Sequence, residues 1–551
     1  GCQSSKLSKR TLPTIVIQCG VLFAALFSAG AAPQLSIPLF DGLGRHHHPV
    51  TTKWPLAQRY FDQGYTLCYN FNHAEAVRAF EAAATIDPEC AMAYWGIAFA
   101  HGPNINAPMF ETAVPKAWEA LQAALRLKDK SSDKERALID ALAARYAKEP
   151  PKDRAPLDQA YADAMRTVAG RFPDDNEIQT FFAEAQMDTS PWRYWTPEQQ
   201  LKPSAQEAVA AIERVLARVK AHPGADHLYI HLVEAGPHPE KAVPSAERLA
   251  KLAPAAGHIV HMPSHIFLRV GRYHDASEWN EDAIDVDETY LRRTNPAGVY
   301  PGGYYPHNVH FYWFATTMEG RSRDAIKAAK KLAQYTLDLR CGAIEGPRQR
   351  YTPLLTYSRF GRWDDVLNAP APAENLPFDR AMAHFTRGLA LSAGGNAPGS
   401  AAELEKFSLL ESSEAVKGMD NPYFPGTKIL AIAHEILAGK AAGAKGDSAH
   451  ALEHLRHAVE LEDAMAYMEP PYWHCSTRLP LGATLLKSGK AAEAEKVFRE
   501  DVKLRPNNGW GLFGLEQSVR QQGRAAEADK VRREFQRAWR YADVKPDLTW
   551  Y

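Results

Sequence analysis

The sequence predicts an all-α fold, a right-handed superhelical solenoid of antiparallel helix pairs, and three observations point to it. The first is a spacing. In AQRYFDQGYTLCYNFNHAEAVRAFEAAATIDPECAMAYWGIA, the residues Gly64, Ala76, Phe80, Ala83 and Pro88 stand at the small, aromatic and proline positions of a helix-pair repeat about 34 residues long. Leu481, Gly482, Ala494, Phe498 and Pro506 reproduce that spacing near the C-terminus. The second is composition: Ala, Glu, Leu, Lys and Arg dominate the periodic segments, and alternating apolar runs are scarce, so no strand pattern competes. The third is extent. Weaker copies end at Pro173 and Pro254 or centre on Ala276, Ala325, Val366 and Ala451, carrying the array through most of the chain.

Each element of the repeat has a physical reason. Small residues let two helices approach closely, the aromatic fills the gap between them, and proline ends the second helix. The expected layout is a solenoid over 57–543, an N-terminal arm over 33–56 and a C-terminal tail over 544–551. Three insertions, Gly102–Pro108, Asp188–Pro203 and Asn295–Pro306, combine Pro, Gly and aromatic residues and read as ordered loops folded over one face. Ser392–Ser400 (SAGGNAPGS) reads as a linker. His46–Val50 (HHHPV) reads as an exposed loop, with an arm reaching the groove as the alternative.

At the N-terminus, Lys6, Lys9 and Arg10 precede an apolar run from Ile15 to Phe27 and the small residues Ser28–Ala32. That order predicts a secretory signal over 1–32, cleaved near Ala31 or Ala32, and a periplasmic or secreted protein without stable membrane insertion. Left uncleaved, the same run would anchor the chain. Lys+Arg at 64 against Asp+Glu at 65 gives a net charge of −1, which leaves no basic excess for nucleic acid. Beyond the signal stand Cys68, Cys90, Cys341 and Cys475 with no C-x-x-C, which excludes a thioredoxin-like pair and c-type haem attachment. Cys68 and Cys90 fall at opposite ends of a predicted hairpin, about 16 Å apart against a disulfide limit of about 7 Å, so no bond between them is expected.

The stretch AGHIVHMPSHIFLRVGRYHDA places His258, His261 and His265 at steps of three and four, one face of a helix. The repeat spacing is that of tetratricopeptide repeats. The segments FNHAEAVRAFEAAATIDPECAMAYWGIAFAHGPNIN and HIVHMPSHIFLRVGRY resemble a family of exported bacterial tetratricopeptide-repeat proteins over most of the mature chain. The resemblance implies the fold and no particular chemistry. It also implies that the first helix of each pair lines a concave groove, with repeat positions 2, 5, 9, 12 and 13 facing inward. With Ala276 at position 20, His258, His261, His265 and Arg269 take positions 2, 5, 9 and 13. The repeat ending at Pro254 sets His227, His231 and Glu234 at 5, 9 and 12. The one registered on Ala325 sets His307 and His310 at 2 and 5, and the helix after Pro173 sets Glu184 and Asp188 at 9 and 13.

Parallel first helices about 10 Å apart would then bring His227, His231, His261 and His265 into a rough square able to converge on one cation. Glu234 stands alongside as a further donor and candidate catalytic base. Glu184, Asp188, His258, Arg269, His307 and His310 are expected to support the site or touch its substrate. Mixed imidazole and carboxylate donors suit Cu, Zn, Fe or Ni over Ca or Mg. The groove would take a small molecule, either for metal-dependent catalysis or with the metal simply held. Two readings without metal stand beside this: a scaffold whose groove takes a peptide or protein, as repeat solenoids do, and a structural seam of hydrogen-bonded imidazoles.

Pro263 leaves two versions open, a helix running through the whole stretch or one starting near Met262 with His258 and His261 on the approach segment, and the imidazoles face the groove in either. His450, His454 and His457 also follow helical spacing, but their register puts them on a second helix, as a solvated face. The aromatics Tyr304, Tyr305, Phe311, Trp313 and Phe314 read mostly as packing. No G-x-S-x-G, H-E-x-x-H, Walker A or dinucleotide fingerprint is present.

Overall fold

Phe80 explains why the first two helices pair where they do. The computed structural model describes residue 35 and residues 37–334, 349–421 and 424–551. In it the Phe80 ring is fully buried between Gly64 and Gly96, where an added Cβ would lie 2.8 and 2.5 Å from the ring. Phe498 is enclosed in the same way by Gly482 and Gly514. Gly96→Ala is therefore expected to overpack a closed contact and cost about 1–3 kcal/mol, read as a lower urea midpoint.

Pairs of this kind succeed one another along the chain. Pro55–Tyr69 packs on His73–Ile86, Ala91–Ala100 on Val114–Leu127, and Asn176–Asp188 on Pro203–Arg218. Pro223–Val233 is followed by Val243–Leu252, and Tyr305–Met318 by Ser322–Gln334. The series runs on through Pro377–Ala393 with Ala397–Glu411 and Gly426–Ala444 with Ser448–Asp463 to Gly509–Gln521 with Ala525–Ala538. Among the described residues there is no strand, only isolated bridges such as Asn104 with Ala107. The fold is an all-α solenoid of tetratricopeptide-like helix pairs.

Three sequence expectations change in detail. The helix after Pro254 is made of two short pieces, Gly257–His261 and Pro263–Arg269, joined at Met262. Pro263 takes the first position of the second piece, where its missing N–H costs nothing. His258 and His261 are thus helical and not on an extended approach. Tertiary contacts make this possible: the amides of His258 and Ile259 donate to Tyr300 Oη at 3.0 Å and Asn70 Oδ1 at 3.0 Å. The 295–306 insertion is partly helical, a π-helical turn over Tyr300–Tyr304 that runs into Tyr305–Met318. Ser392–Ser400 is no linker but the tight turn of a helix pair, with Gly395 at φ +75° and Asn396 capping the second helix.

The two halves of the solenoid touch across the groove. Tyr467 Oη donates to Glu234, Asn507 Nδ2 to the Gly271 carbonyl at 3.2 Å, and Trp510 Nε1 to the Thr317 carbonyl at 3.0 Å. Both ends of the described chain join this body. In the arm the Phe40 amide donates to Gln63 Oε1 at 2.7 Å, and in the tail Tyr551 Oη donates to the Trp510 carbonyl at 2.7 Å. Cys68, Cys90 and Cys475 are free, and Cys341 lies outside the described residues. No helix among the described residues is long and apolar enough to cross a membrane. The predicted signal over 1–32 lies outside them.

Burial also sets an acid limit on stability. Desolvation pushes the imidazoles of His73 and His101 down to about 4 and that of His474 to about 3, from about 6.5 in an unfolded chain. Between those values the unfolded state binds more protons, so acidification favours it. Thermal melts of metal-free protein are expected to hold level above pH ~6.5 and fall steadily below it, by on the order of 3 kcal/mol per imidazole at pH ~4.

Candidate metal centre

The groove-facing imidazoles form two triads. His227, His231 and His258 bring one ring nitrogen each within 4.8 Å of one another, and so do His261, His265 and His307. His227, His231, His258, His261 and His265 are at most 1% exposed, and Glu234 is completely buried. The repeat explains the grouping. Each triad takes positions 5 and 9 of one first helix and position 2 of the next, so advancing by one repeat carries the first triad onto the second. The square expected from His227, His231, His261 and His265 is thereby divided, two rings to each group, with His258 and His307 completing the sets.

Hydrogen bonds fix the ring orientations. His227 Nδ1 donates to the Tyr69 carbonyl at 2.6 Å, at the C-terminal end of Pro55–Tyr69 where carbonyls lack intrahelical partners. His261 Nδ1 donates to Asn280 Oδ1 at 2.7 Å. The amide cannot be reversed there, because Asn280 Nδ2 donates to the Ala276 carbonyl at 2.6 Å and to Ser264 Oγ at 2.7 Å. His231 Nδ1 and His265 Nδ1 donate to the two oxygens of Glu234, each at 2.7 Å. Tyr467 Oη adds a third donor to that carboxylate at 2.8 Å.

With all four Nδ1 protons committed, each Nε2 of these neutral rings carries a lone pair and no hydrogen. The lone pairs meet head-on: His227 Nε2 lies 3.1 Å from His231 Nε2, and His261 Nε2 lies 3.0 Å from His265 Nε2. Such contacts are repulsive unless an electropositive centre sits between them. Desolvation works against a proton between the rings of the first pair, holding His227 well below and His231 below the ordinary imidazole value, and against one on His261 of the second. A metal ion fits, since two nitrogens about 2.0–2.1 Å from one tetrahedral ion stand about 3.3 Å apart. His258 has both ring nitrogens buried without a partner among the described residues.

Glu234 stands behind the imidazoles, not among their free nitrogens. Burial would raise its carboxyl, but His265 and His231 outweigh that and hold it far below the usual carboxylate range. Glu184 and Asp188 lie elsewhere, around the buried Arg145, whose guanidinium donates to Asp188 at 2.8 Å. Burial raises Glu184 to about 7 against the pull of Arg145. Arg269 donates to the Gly236 carbonyl at 3.3 Å and stacks over Tyr467. His310 stacks on Trp313 and joins neither triad. His450, His454 and His457 pair with Asp447 and Glu435, with side chains 39–67% exposed.

The insertions cover the triads. Trp192, from the second, meets His231 edge-on at 5.1 Å, and its Nε1 donates to Asn106 of the first at 3.0 Å. Tyr304, from the third, meets His258 at 4.7 Å. Phe71 packs on His227 at 4.5 Å and on His258 at 5.4 Å. Phe71 and Trp192 are held at φ 54° and 64°, a region costly for residues with a Cβ and often found where strain serves a site.

A third group, His46, Glu177 and His222, has the spacing of a metal site, but both ring nitrogens of His222 are engaged. The Ala225 amide donates to His222 Nδ1 at 3.1 Å, so the ring proton sits on Nε2 and goes to Glu177 Oε1 at 2.9 Å. Ligation through His222 Nε2 would require the ring to lose its one N–H proton and become an imidazolate, since Nδ1 already accepts from Ala225. His46 reaches this group from HHHPV, which is therefore not simply an exposed loop.

Asn280, Tyr467 and Arg145 stand outside the groove positions of the repeat, Tyr69 acts through its main-chain carbonyl, and the partners of all four lie far away in the chain or on other helices. The strand-free alternation of helices gave no signal for them.

No family model matches the sequence, and no curated protein does. Among solved structures, similar chains include the human IFIT1 dimer with m7Gppp-AAAA, 12% identical, covering 89% of this chain and 91% of that one, with a TM-score of 0.32. The Cut9–Hcn1 hetero-tetramer of APC/C is 13% identical over 90% and 74%, at 0.28. Yeast Tom70 is 12% identical over 86% and 92%, also at 0.28. At such scores these likenesses carry no weight for the groove's ligand, and the fold rests on the helix pairs themselves.

Proposed function

We propose that this is an exported solenoid holding two transition-metal ions, one in each histidine triad. A single observation carries the reading: two pairs of imidazoles present bare Nε2 atoms to each other at 3.1 and 3.0 Å, with every Nδ1 proton already committed. All-imidazole ligation favours Cu or Zn, with Fe and Ni the weaker fits among the four metals. Glu234 acts as an orienting group for both triads. Its depressed carboxyl makes it a poor general base. Three ligands leave each ion a position for a further small molecule, and the buried rings beneath Trp192 and Tyr304 suit one the size of water or dioxygen. That cover speaks against an extended peptide track, which needs an open surface.

The test is elemental analysis of protein purified without chelator, before and after incubation with each of the four metals. One ion per triad is expected, held without change through about pH 6.5 and released only in more acidic solution, because protonated imidazole cannot ligate and burial keeps His227, His231 and His261 below the ordinary imidazole value. Protein that stays metal-free throughout would refute the reading.

A further inference from the structure

The concave face carries a second buried chemistry, in its C-terminal half. Helices Thr352–Arg359, Pro377–Ala393, Gly426–Ala444, Arg478–Lys487 and Gly509–Gln521 surround a cavity of about 680 Å³, and the tail residues Leu548–Tyr551 form one side of it. That volume suits a small organic molecule. Phe385, Trp473, Trp550 and Tyr551 supply aromatic walls. The charged side chains of the lining are Arg359, Lys440, Lys487 and Arg520, with no carboxylate among them.

Two of these cations are already answered. Arg520 donates to Glu516 at 2.6 Å and to Asp529 at 2.8 Å, and Lys440 Nζ meets the Tyr551 carbonyl. Lys487 is exposed. Arg359 differs from all three. It is 4% exposed, its guanidinium lies 3.6 Å from the Trp510 ring centre and 5.2 Å from that of Tyr551, and its Nη2 has no hydrogen-bond partner among the described residues. Trp473 Nε1 and His474 Nδ1, beside it in the lining, are buried and unpartnered as well. Stacking on rings compensates part of a guanidinium's charge but supplies no acceptor for its N–H groups. A buried ionic donor without an acceptor is costly, and the planar fork of arginine matches a carboxylate in two parallel hydrogen bonds.

We propose that this cavity binds an organic carboxylate, its apolar body against the aromatic walls and its carboxylate on Arg359. The site is separate from the histidine triads and does not depend on metal. The probe is 4-phenylbutyrate, titrated calorimetrically into the full chain beside the neutral 4-phenylbutyramide. One saturable site is expected, at least tenfold tighter for the acid than for the amide. Arg359→Met, which keeps the side chain's bulk, is expected to remove that preference while amide binding persists. Ala483→Trp, which puts an indole into the cavity from a buried position of its lining, is expected to block both. Equal affinity for acid and amide, no saturable binding of either, or a preference surviving Arg359→Met would overturn the proposal. Should Arg359→Met fail to fold, an undiminished preference in Ala483→Trp overturns it equally. The His231→Ala/His265→Ala variant should bind the acid as the wild type does, so a failure of the metal reading leaves this result untouched.

Discussion

Replacing His231 and His265 together with alanine is expected to empty both triads. Each triad loses one of the two nitrogens that meet across about 3 Å, and the two imidazoles left in each no longer chelate from a single helix. Metal content measured by plasma mass spectrometry should fall from one ion per triad to below about a tenth of that. Far-ultraviolet circular dichroism should keep its helical signature, because helix packing rests on contacts such as Phe80 between Gly64 and Gly96. Removing His231 alone should empty only the first triad and leave one ion. A double variant that keeps its full metal content would place the ions elsewhere.

Glu234→Gln is expected to split the two triads. The carboxylate presents an oxygen to each of two Nδ1–H groups. An amide of the same shape presents one oxygen and one N–H₂, so one imidazole would face a donor with its own donor. That ring is driven to the other tautomer, which puts a hydrogen on the nitrogen meant for the metal. One site should therefore persist while the other loses about 10–100-fold in affinity, the usual cost of removing a group that orients a ligand. Competition titration with a chromophoric chelator resolves the two classes. Equal weakening of both sites, or none, would contradict the assignment of Glu234 as the shared orienting group.

The helix pairs were legible because their determinants are local. Gly64, Ala76, Phe80 and Pro88 each act on neighbours within one repeat, and the spacing of His258, His261 and His265 reports a helix face whatever surrounds it. The division of the imidazoles into triads was not legible. It follows from the stagger of successive repeats, which brings position 2 of one first helix beside positions 5 and 9 of the preceding one. Ring orientation was further out of reach, since it is set by the Tyr69 carbonyl and by Asn280 on a second helix. Glu234 was visible as a groove residue, but a sequence position cannot tell a carboxylate that binds metal from one that aims two imidazoles. The arm read as a loop because His46 finds Glu177 only through tertiary structure.

An open solenoid behaves as a one-dimensional lattice, in which each repeat feels only its neighbours and the ends fray independently. Tyr467 on Glu234, Asn507 on Gly271 and Trp510 on Thr317 break that rule by joining residues about two hundred positions apart. Closure makes the terminal repeats hostage to the middle. Fraying from the C-terminus uncouples Trp510 from Thr317 and Tyr467 from Glu234, so it cannot proceed without loosening the centre of the array. The entropy of closing so long a loop grows only slowly with its length, but it must be met before the contacts that repay it exist. Such a chain forgoes the stepwise assembly open to a linear array, and folds late and together.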